Sequence, residues 1–404
     1  MDRMAKWDDR MYKVLLLLAF ASSISTAATS IGIGLGLLFV LVQSVSRRKL
    51  PQLDSGLGRV VLLFCLLQCL IAAASQHPGE SFSEVWGMIY RFFPLFFAML
   101  YVRSVKQLRW LFIAFTVSIF IDNIAAVIQM VRAPEIRPHG FNVTHTFYGD
   151  FLLMALPILL LSIYKDYMQH WAKWFAAGTM AFSLLMLVLT YTRGAWVALA
   201  AMLLAGVLLG AGFRKRALEF TGITVLVFAL AMALLPDFQG RMESIADPHH
   251  DANTERVLMW KSALAIGRDH PVLGIGQDQF VRAYNTQYIS PLARERSQDG
   301  NPLHGHGHPH NNLLKQVSEG GTVGVLAYLL LYGYVFWRLW NCYRAERGRM
   351  PLSYGLMGLL IFIGIQAAGL TDTNVTQVPV MREYWLLTGM LLVAGKVELS
   401  QAKD

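Results

Sequence analysis

The residues best equipped for chemistry stand together in His304-Gly-His306-Gly-His308-Pro309-His310-Asn311-Asn312, directly before a run that reads as helix from Leu313 to Trp340. Imidazoles ligate metals, accept protons or simply meet solvent, and three readings compete. As a metal site the tract offers several nitrogens, but the alternating glycines hold them loosely and no cysteine or carboxylate joins them locally. As a solvated loop, His304 and His306 need do nothing. As a proton acceptor His310 is best placed, because it lies nearest the helix start. Asn311 and Asn312 behind it can cap that helix and hydrogen-bond a substrate or the imidazole. A neutral imidazole near neutral pH can take the proton that an attacking hydroxyl must lose.

A second set of residues is cationic. Arg193 lies in Thr190-Tyr-Thr-Arg193-Gly-Ala-Trp196, Arg256 precedes Trp260 by four residues, and Arg137 opens Arg137-Pro-His-Gly-Phe. Guanidinium forks match phosphate oxygens two at a time and stay charged at every relevant pH. Two or three of them at one membrane-facing cavity suit a lipid-linked diphosphate and could offset the charge that builds on a departing one. The bland alternative is that each snorkels to the membrane surface. No Asp-rich metal motif accompanies them, and neither a metal nor another cofactor is expected.

These residues are carried by membrane helices. Of 404 residues, 55% are hydrophobic and only 15% charged, where soluble domains carry about 25% charged residues. Apolar runs of spanning length recur throughout. Twelve spans are predicted at about 11–28, 30–46, 58–75, 85–102, 108–131, 144–164, 171–190, 194–212, 217–235, 320–340, 352–371 and 383–399. The first two could also form one long kinked segment across the small residues Ser22 to Ser30. The first run reads as retained rather than as a cleaved leader. Cys65, Cys69 and Cys342 all lie in or beside apolar runs, so no disulfide framework is expected.

With a cytoplasmic N-terminus, the short inside connectors carry about 22 Lys and Arg against four outside (Arg132, Arg137, Arg193 and Arg382), a positive-inside bias. Both termini are then cytoplasmic. The net charge of +9 is orientation information, not a nucleic-acid footprint. The expected organisation is residues 1–235 as nine spans, 236–319 as an outside loop domain with short helices, and 320–404 as three more spans. In the loop, Asn253-Thr-Glu255 can cap a helix running to about Arg268, placing Arg256 and Trp260 on one face. Asp269-His270-Pro-Val-Leu-Gly274-Ile-Gly276 is a turn whose Gly-X-Gly lets backbone approach something closely. No βαβ context surrounds it, so it is not a nucleotide fingerprint.

Taken together, Arg256-Val-Leu-Met-Trp260, His270-Pro-Val-Leu-Gly-Ile-Gly276, Phe280, His308-Pro-His310-Asn311-Asn312 and Glu319-Gly-Gly-Thr-Val-Gly324 resemble the core of the O-antigen ligase/polymerase superfamily. Thr-Arg193-Gly-Ala-Trp196 resembles its other arginine element, and Arg137 is a looser match. The resemblance implies a metal-independent GT-C-like glycosyltransferase of the bacterial inner membrane, with its active site on the periplasmic side. The donor it implies is a glycan on undecaprenyl diphosphate. His310 would activate the acceptor hydroxyl and Arg193, Arg256 and Arg137 would hold the diphosphate, with His308, Asn311, Asn312 and Trp260 in support. Within the superfamily, ligases transfer O-antigen to lipid A–core, polymerases join repeat units, and O-linked oligosaccharyltransferases use protein. The Arg137-Pro-His-Gly-Phe-Asn region looks more like the ligases, an argument by analogy. The non-enzyme rival is a polyprenyl-glycan transporter, for which Asp122, Asn123 and Arg91 are the clear midspan polar residues.

Overall fold

The computed structural model describes residues 3–49, 51, 54–210, 212–245, 247, 250–295 and 308–401. His304 and His306 lie outside them. Among the described residues the chain is all helical, with no strand.

Helices stand at all twelve expected positions. α1 (Arg3–Ala21) turns at Ser22–Ser25 into α2 (Thr26–Arg47), so the first two spans are separate helices. The break is fixed by Ser25, whose extended backbone and hydroxyl cap α2 at the Ala28 N–H, 3.2 Å away. α3 (Ser55–Ala73) follows. The fourth expected span is broken into α4 (Pro78–Arg91) and α5 (Phe93–Tyr101). Pro94 has no N–H to continue the ladder, which interrupts the helix just before it. α6 (Val105–Arg132) starts at a reciprocal Ser104–Gln107 capping box.

α7 (His145–Tyr164) carries no charged residue beyond Asp150 and is buried from Tyr148 to Ser162. A helix without a polar face belongs at the centre of a bundle. α8 (His170–Leu189), α9 (Arg193–Leu209) and α10 (Arg214–Leu234) follow; α7 packs on α8, α9 and α17 (Tyr354–Ala368). Short α11 (Pro236–Glu243) leads to α12 (Asp251–Asp269), α13 (Phe280–Ala283), a π-helical turn at Tyr284–Tyr288, and α14 (Pro291–Glu295). Beyond the histidines, α15 (Asn312–Lys315), a second π-helical turn (Gln316–Gly320) and α16 (Gly321–Glu346) form one rod. α18 (Val378–Gln401) closes the described chain.

Among the described residues, seven helices are long and apolar enough to cross a bilayer by length and composition: α2, α3, α6, α7, α8, α10 and the α15–α16 rod, while α9 and α17 are apolar but shorter. The protein is an all-α polytopic membrane protein.

The connections gather at two ends. At one, Arg382 reaches Thr26, Thr29 and Ser30, Thr192 meets His145, Arg193 meets Ser244, and Asn312 meets Gly369. At the other, Gln43 meets Tyr101, Lys165 meets Glu398, and Tyr343 reaches the Leu209 carbonyl. The first end carries the histidine and arginine elements.

Candidate functional site

Four arginines from four segments converge on one pocket of about 50 Å3. Arg137, Arg193, Arg241 and Arg256 line it together with His145, Asp150 and Asp372. The enclosed space suits a small anionic group rather than a sugar ring. Arg193 opens α9 and is only 8% exposed. Burying a guanidinium is costly unless its donors are used, and its Nη1 donates to the Ser244 carbonyl at 2.8 Å and hydroxyl at 3.0 Å.

That contact depends on α11 folding back over α9. Buried Phe238 stacks against Trp196, with centroids 4.6 Å apart, and the Trp196 indole donates to the Leu187 carbonyl. The same fold-back delivers Arg241, whose Nε donates to the Tyr191 carbonyl at 3.4 Å. Burial lowers the pKa values of Arg137, Arg241 and Arg256, Arg241 to about 10 with the neighbouring arginines adding to the effect. Cations that depress one another in this way are poised for an anion.

Arg137 lies on a loop that α6 holds from within the bundle. Asp122 accepts from the Phe141 N–H at 2.8 Å and the Asn142 amide at 3.0 Å. Gln129 accepts from the His139 and Gly140 N–H groups and donates to the Gly140 carbonyl. Gly140 adopts φ +59°, and a Cβ there would lie 2.0 Å from the Asp122 carboxylate. Arg137 Nη1 lies 3.3 Å from His145 Nε2. The midspan polar residues thus have structural partners: Asn123 bonds Ser183 and Tyr148, and Arg91 bonds Glu84 and the Val375 carbonyl.

Beside the arginines stands His310. Its Nδ1 is 3.2 Å from Oδ1 of Asp372, and His308 Nε2 is 3.8 Å from the same oxygen. Asp372 lies between α17 and α18 and also lines the arginine pocket. Burial pushes its carboxyl up, but the bond to His310, the two imidazoles and the Thr373 N–H outweigh this and hold it down to about 2. His310 has φ +48°, a left-handed conformation that a side chain adopts at a cost of about 1–2 kcal/mol. Its N–H donates to His308 Nδ1 at 3.3 Å, and the two rings sit 4.3 Å apart. The ligand atoms of His308, His310 and Asp372 lie within 4.8 Å of one another, a set that could hold a metal ion. A carboxylate therefore does join the histidines, through the fold rather than the local sequence.

The asparagines fasten this corner. Asn311 caps α15 at the Leu314 N–H and donates to the Leu370 carbonyl. Asn312 bonds the Asn374 amide and the Val375 N–H, and its own N–H donates to the Gly369 carbonyl at 2.7 Å. Their side chains tie α15 to the 369–375 turn that bears Asp372. Gly194 makes room there too, since a Cβ would lie 2.3 Å from the Thr371 hydroxyl.

Arg256 and Trp260, four residues apart on α12, are both part-buried, and the Trp260 indole N–H is buried without a partner among the described residues. α12 begins at Asp251 rather than at an Asn253 cap. Asn253 donates instead to the Ser244 and Asp247 carbonyls, because α11 lies within its reach. The Gly-X-Gly turn approaches protein, not ligand: Gly274 (φ +62°) abuts the Glu319 backbone and Gly276 (φ +102°) abuts Ser75. Buried Glu319 accepts from the Asp278 and Phe280 N–H groups and pairs with Lys315.

The structure thus brings Arg137, Arg193 and Arg256 into one pocket and links His310 to it through Asp372. Sequence reasoning missed Arg241, His145 and Asp372. Arg241 was hidden in the long loop excluded from the charge comparison. Asp372 had a signal, the polar run Thr371-Asp-Thr-Asn374 interrupting two apolar helices.

Fold and site together define a polytopic helical membrane protein with a cationic, anion-sized pocket beside a histidine–carboxylate pair at one end. Residues 178–329, a little over a third of the chain, match the family model described as O-antigen ligase. The matched segment, which spans Arg193, Arg256 and His310, is similar to that family and supports a lipid-linked glycan transfer function. No curated protein matches the chain.

Proposed function

We propose that the protein is a GT-C-type glycosyltransferase of the bacterial inner membrane that ligates O-antigen from undecaprenyl diphosphate onto lipid A–core, completing lipopolysaccharide. The observation that carries the reading is Asp372, which belongs at once to the four-arginine pocket and to the His310 pair. In this reading, Arg137, Arg193, Arg241 and Arg256 grip the donor diphosphate. The carboxylate of Asp372 accepts the Nδ1–H of His310, which leaves Nε2 with the lone pair.

Nε2 takes the proton of a core-sugar hydroxyl as that oxygen attacks the anomeric carbon. The bond from that carbon to the diphosphate breaks, and its electron pair leaves with the undecaprenyl diphosphate, whose growing charge the arginines offset. One displacement inverts the anomeric centre. In this reading the Trp260 indole N–H, without a partner among the described residues, would donate to a substrate oxygen. No step draws on a metal, and no nucleic acid takes part. The site end faces the periplasm and both termini the cytoplasm, a placement that the distribution of Lys and Arg supports.

The internal partners of Asp122, Asn123 and Arg91 favour chemistry at one end over passage through the bundle. The test is a reconstituted assay with labelled lipid-linked glycan offered rough lipopolysaccharide, a second lipid-linked repeat unit, or an acceptor protein. Product on lipopolysaccharide alone, undiminished in EDTA, is expected. Product on the repeat unit or protein instead makes the enzyme a polymerase or an oligosaccharyltransferase; movement of donor without transfer makes it a transporter. Strict metal dependence would turn the His308–His310–Asp372 cluster into a metal centre.

A further inference from the structure

Two imidazole nitrogens and a carboxylate oxygen beside the arginine pocket have the spacing of a metal site. His310 Nδ1 and His308 Nε2 lie 3.2 and 3.8 Å from Oδ1 of Asp372, and the three ligand atoms lie within 4.8 Å of one another. Zinc bonds to imidazole nitrogen and carboxylate oxygen measure about 2.0–2.2 Å, so neighbouring ligand atoms in a tetrahedron stand about 3.3–3.5 Å apart. The two edges through Asp372 bracket that value. The nitrogen–nitrogen edge closes when the part-buried His308 ring turns.

These ligands are supported from outside. The Thr373 N–H donates to the same Asp372 oxygen at 2.7 Å, and the Thr373 hydroxyl accepts from the Asn311 N–H at 3.1 Å. The turn that bears the carboxylate is thereby coupled to the segment that bears the imidazoles. Supporting bonds of this kind orient metal ligands and strengthen their hold on the ion. Two imidazoles and one carboxylate suit zinc, whereas magnesium and calcium prefer all-oxygen sites. Three protein ligands leave a fourth position open.

An ion here would disarm the proton acceptor. Without the ion, Nδ1 of His310 donates its proton to Asp372 and Nε2 keeps the lone pair. Zinc on Nδ1 needs the lone pair at that atom. The proton then sits on Nε2, which can no longer accept one from the sugar hydroxyl. His308 changes tautomer in the same way and gives up the 3.3 Å bond from the His310 N–H to its Nδ1. We propose that His308, His310 and Asp372 bind Zn²⁺ reversibly and that the bound ion switches glycan transfer off. The switch rests on the glycan-transfer reading; the metal site does not. The arginines that share the pocket with Asp372 oppose a further cation, which keeps the ion exchangeable with a chelator.

The test uses the full chain without a histidine tag, stripped with EDTA. Titration calorimetry measures Zn²⁺ binding, and the reconstituted assay measures transfer with Zn²⁺ or Mg²⁺ added. Zn²⁺ should bind and lower transfer by about 10²-fold or more, as removal of the base does. EDTA should restore the rate, and Mg²⁺ should neither bind nor inhibit. His308→Gln and Asp372→Asn should each weaken Zn²⁺ binding by about tenfold or more, since losing even a supporting bond costs that much. A His304→Gln, His306→Gln double variant should keep both binding and inhibition, and this arm stands even where a ligand variant fails to fold. Undiminished binding by His308→Gln and Asp372→Asn, its loss in the double variant, or full transfer by the zinc-loaded wild type overturns the proposal. Zinc bound at these residues of a protein that transfers no glycan upholds the metal site and overturns the transfer reading instead.

Discussion

The arginine pocket treats buried charge differently from the rest of the bundle. Away from the site, half-buried or buried ions find opposite partners: Lys165 meets Glu398 at 2.9 Å, and Arg338 meets Asp54 at 2.7 Å. Glu346 is held by Ser353 and the Gly355 N–H. At the site end, Arg137, Arg193, Arg241 and Arg256 share one pocket with only Asp150 and Asp372 as carboxylates. A protein that pairs its buried ions elsewhere, Lys315 with Glu319 among them, leaves these four arginines with only two carboxylates in their pocket. In the proposed reaction an arriving diphosphate supplies the missing negative charge. Stability explains the first arrangement; the proposed donor would explain the second.

The comparison can be broken by substitution. His310→Ala should lower the transfer rate most, by about 10²–10⁴. Arg193→Ala or Arg256→Ala should each cost about 10²–10³, and lysine should rescue neither fully, because a point charge cannot reproduce the fork. Asp372→Asn acts through His310 and should cost about 10–100-fold, as losses of an orienting partner generally do. The smallest effect belongs to the opposite end, where Arg338→Gln should leave the rate within about twofold, since an exposed or half-exposed pair contributes about 0–1 kcal/mol. Transfer assays on the purified variants check all four, and a large loss in Arg338→Gln would erase the contrast between the ends.

Acid stability sharpens the same contrast. The Asp372 carboxyl is held down to about 2, below the value of about 3.9 expected in an unfolded chain. Its contribution is therefore fully present above about pH 4 and is lost as pH falls towards 2. Thermal unfolding of wild type and Asp372→Asn should differ above pH 4 and converge near pH 2. A difference that persists unchanged at pH 2 would mean that the carboxylate is not what holds the turn.

The helices were readable because apolar periodicity and flanking charge are local. Breaks at Ser25 and Pro94 follow from capping and from a missing N–H, both visible in the chain. Arg137 and Arg193 stood out because few cations were expected in their connectors, and Arg256 because it shares a helix face with Trp260. What the sequence could not show is pairing across distance. Asp372 lies 62 residues after His310, and nothing local marks it as the partner of that imidazole. Asp122 resembled a transport residue until its bonds to Phe141 and Asn142 were seen. Asn253 looked like a cap because the sequence gives no sign that α11 lies within its reach.

The division of labour between guanidinium and imidazole is tested most directly by the affinity of purified wild type, Arg256→Ala and His310→Ala for undecaprenyl diphosphate without acceptor. Arg256→Ala should weaken binding by about tenfold or more, as expected for losing a charged partner of an anion, while His310→Ala binds as wild type does and fails only in transfer. Equal affinity in all three, or a loss confined to His310→Ala, would contradict the account.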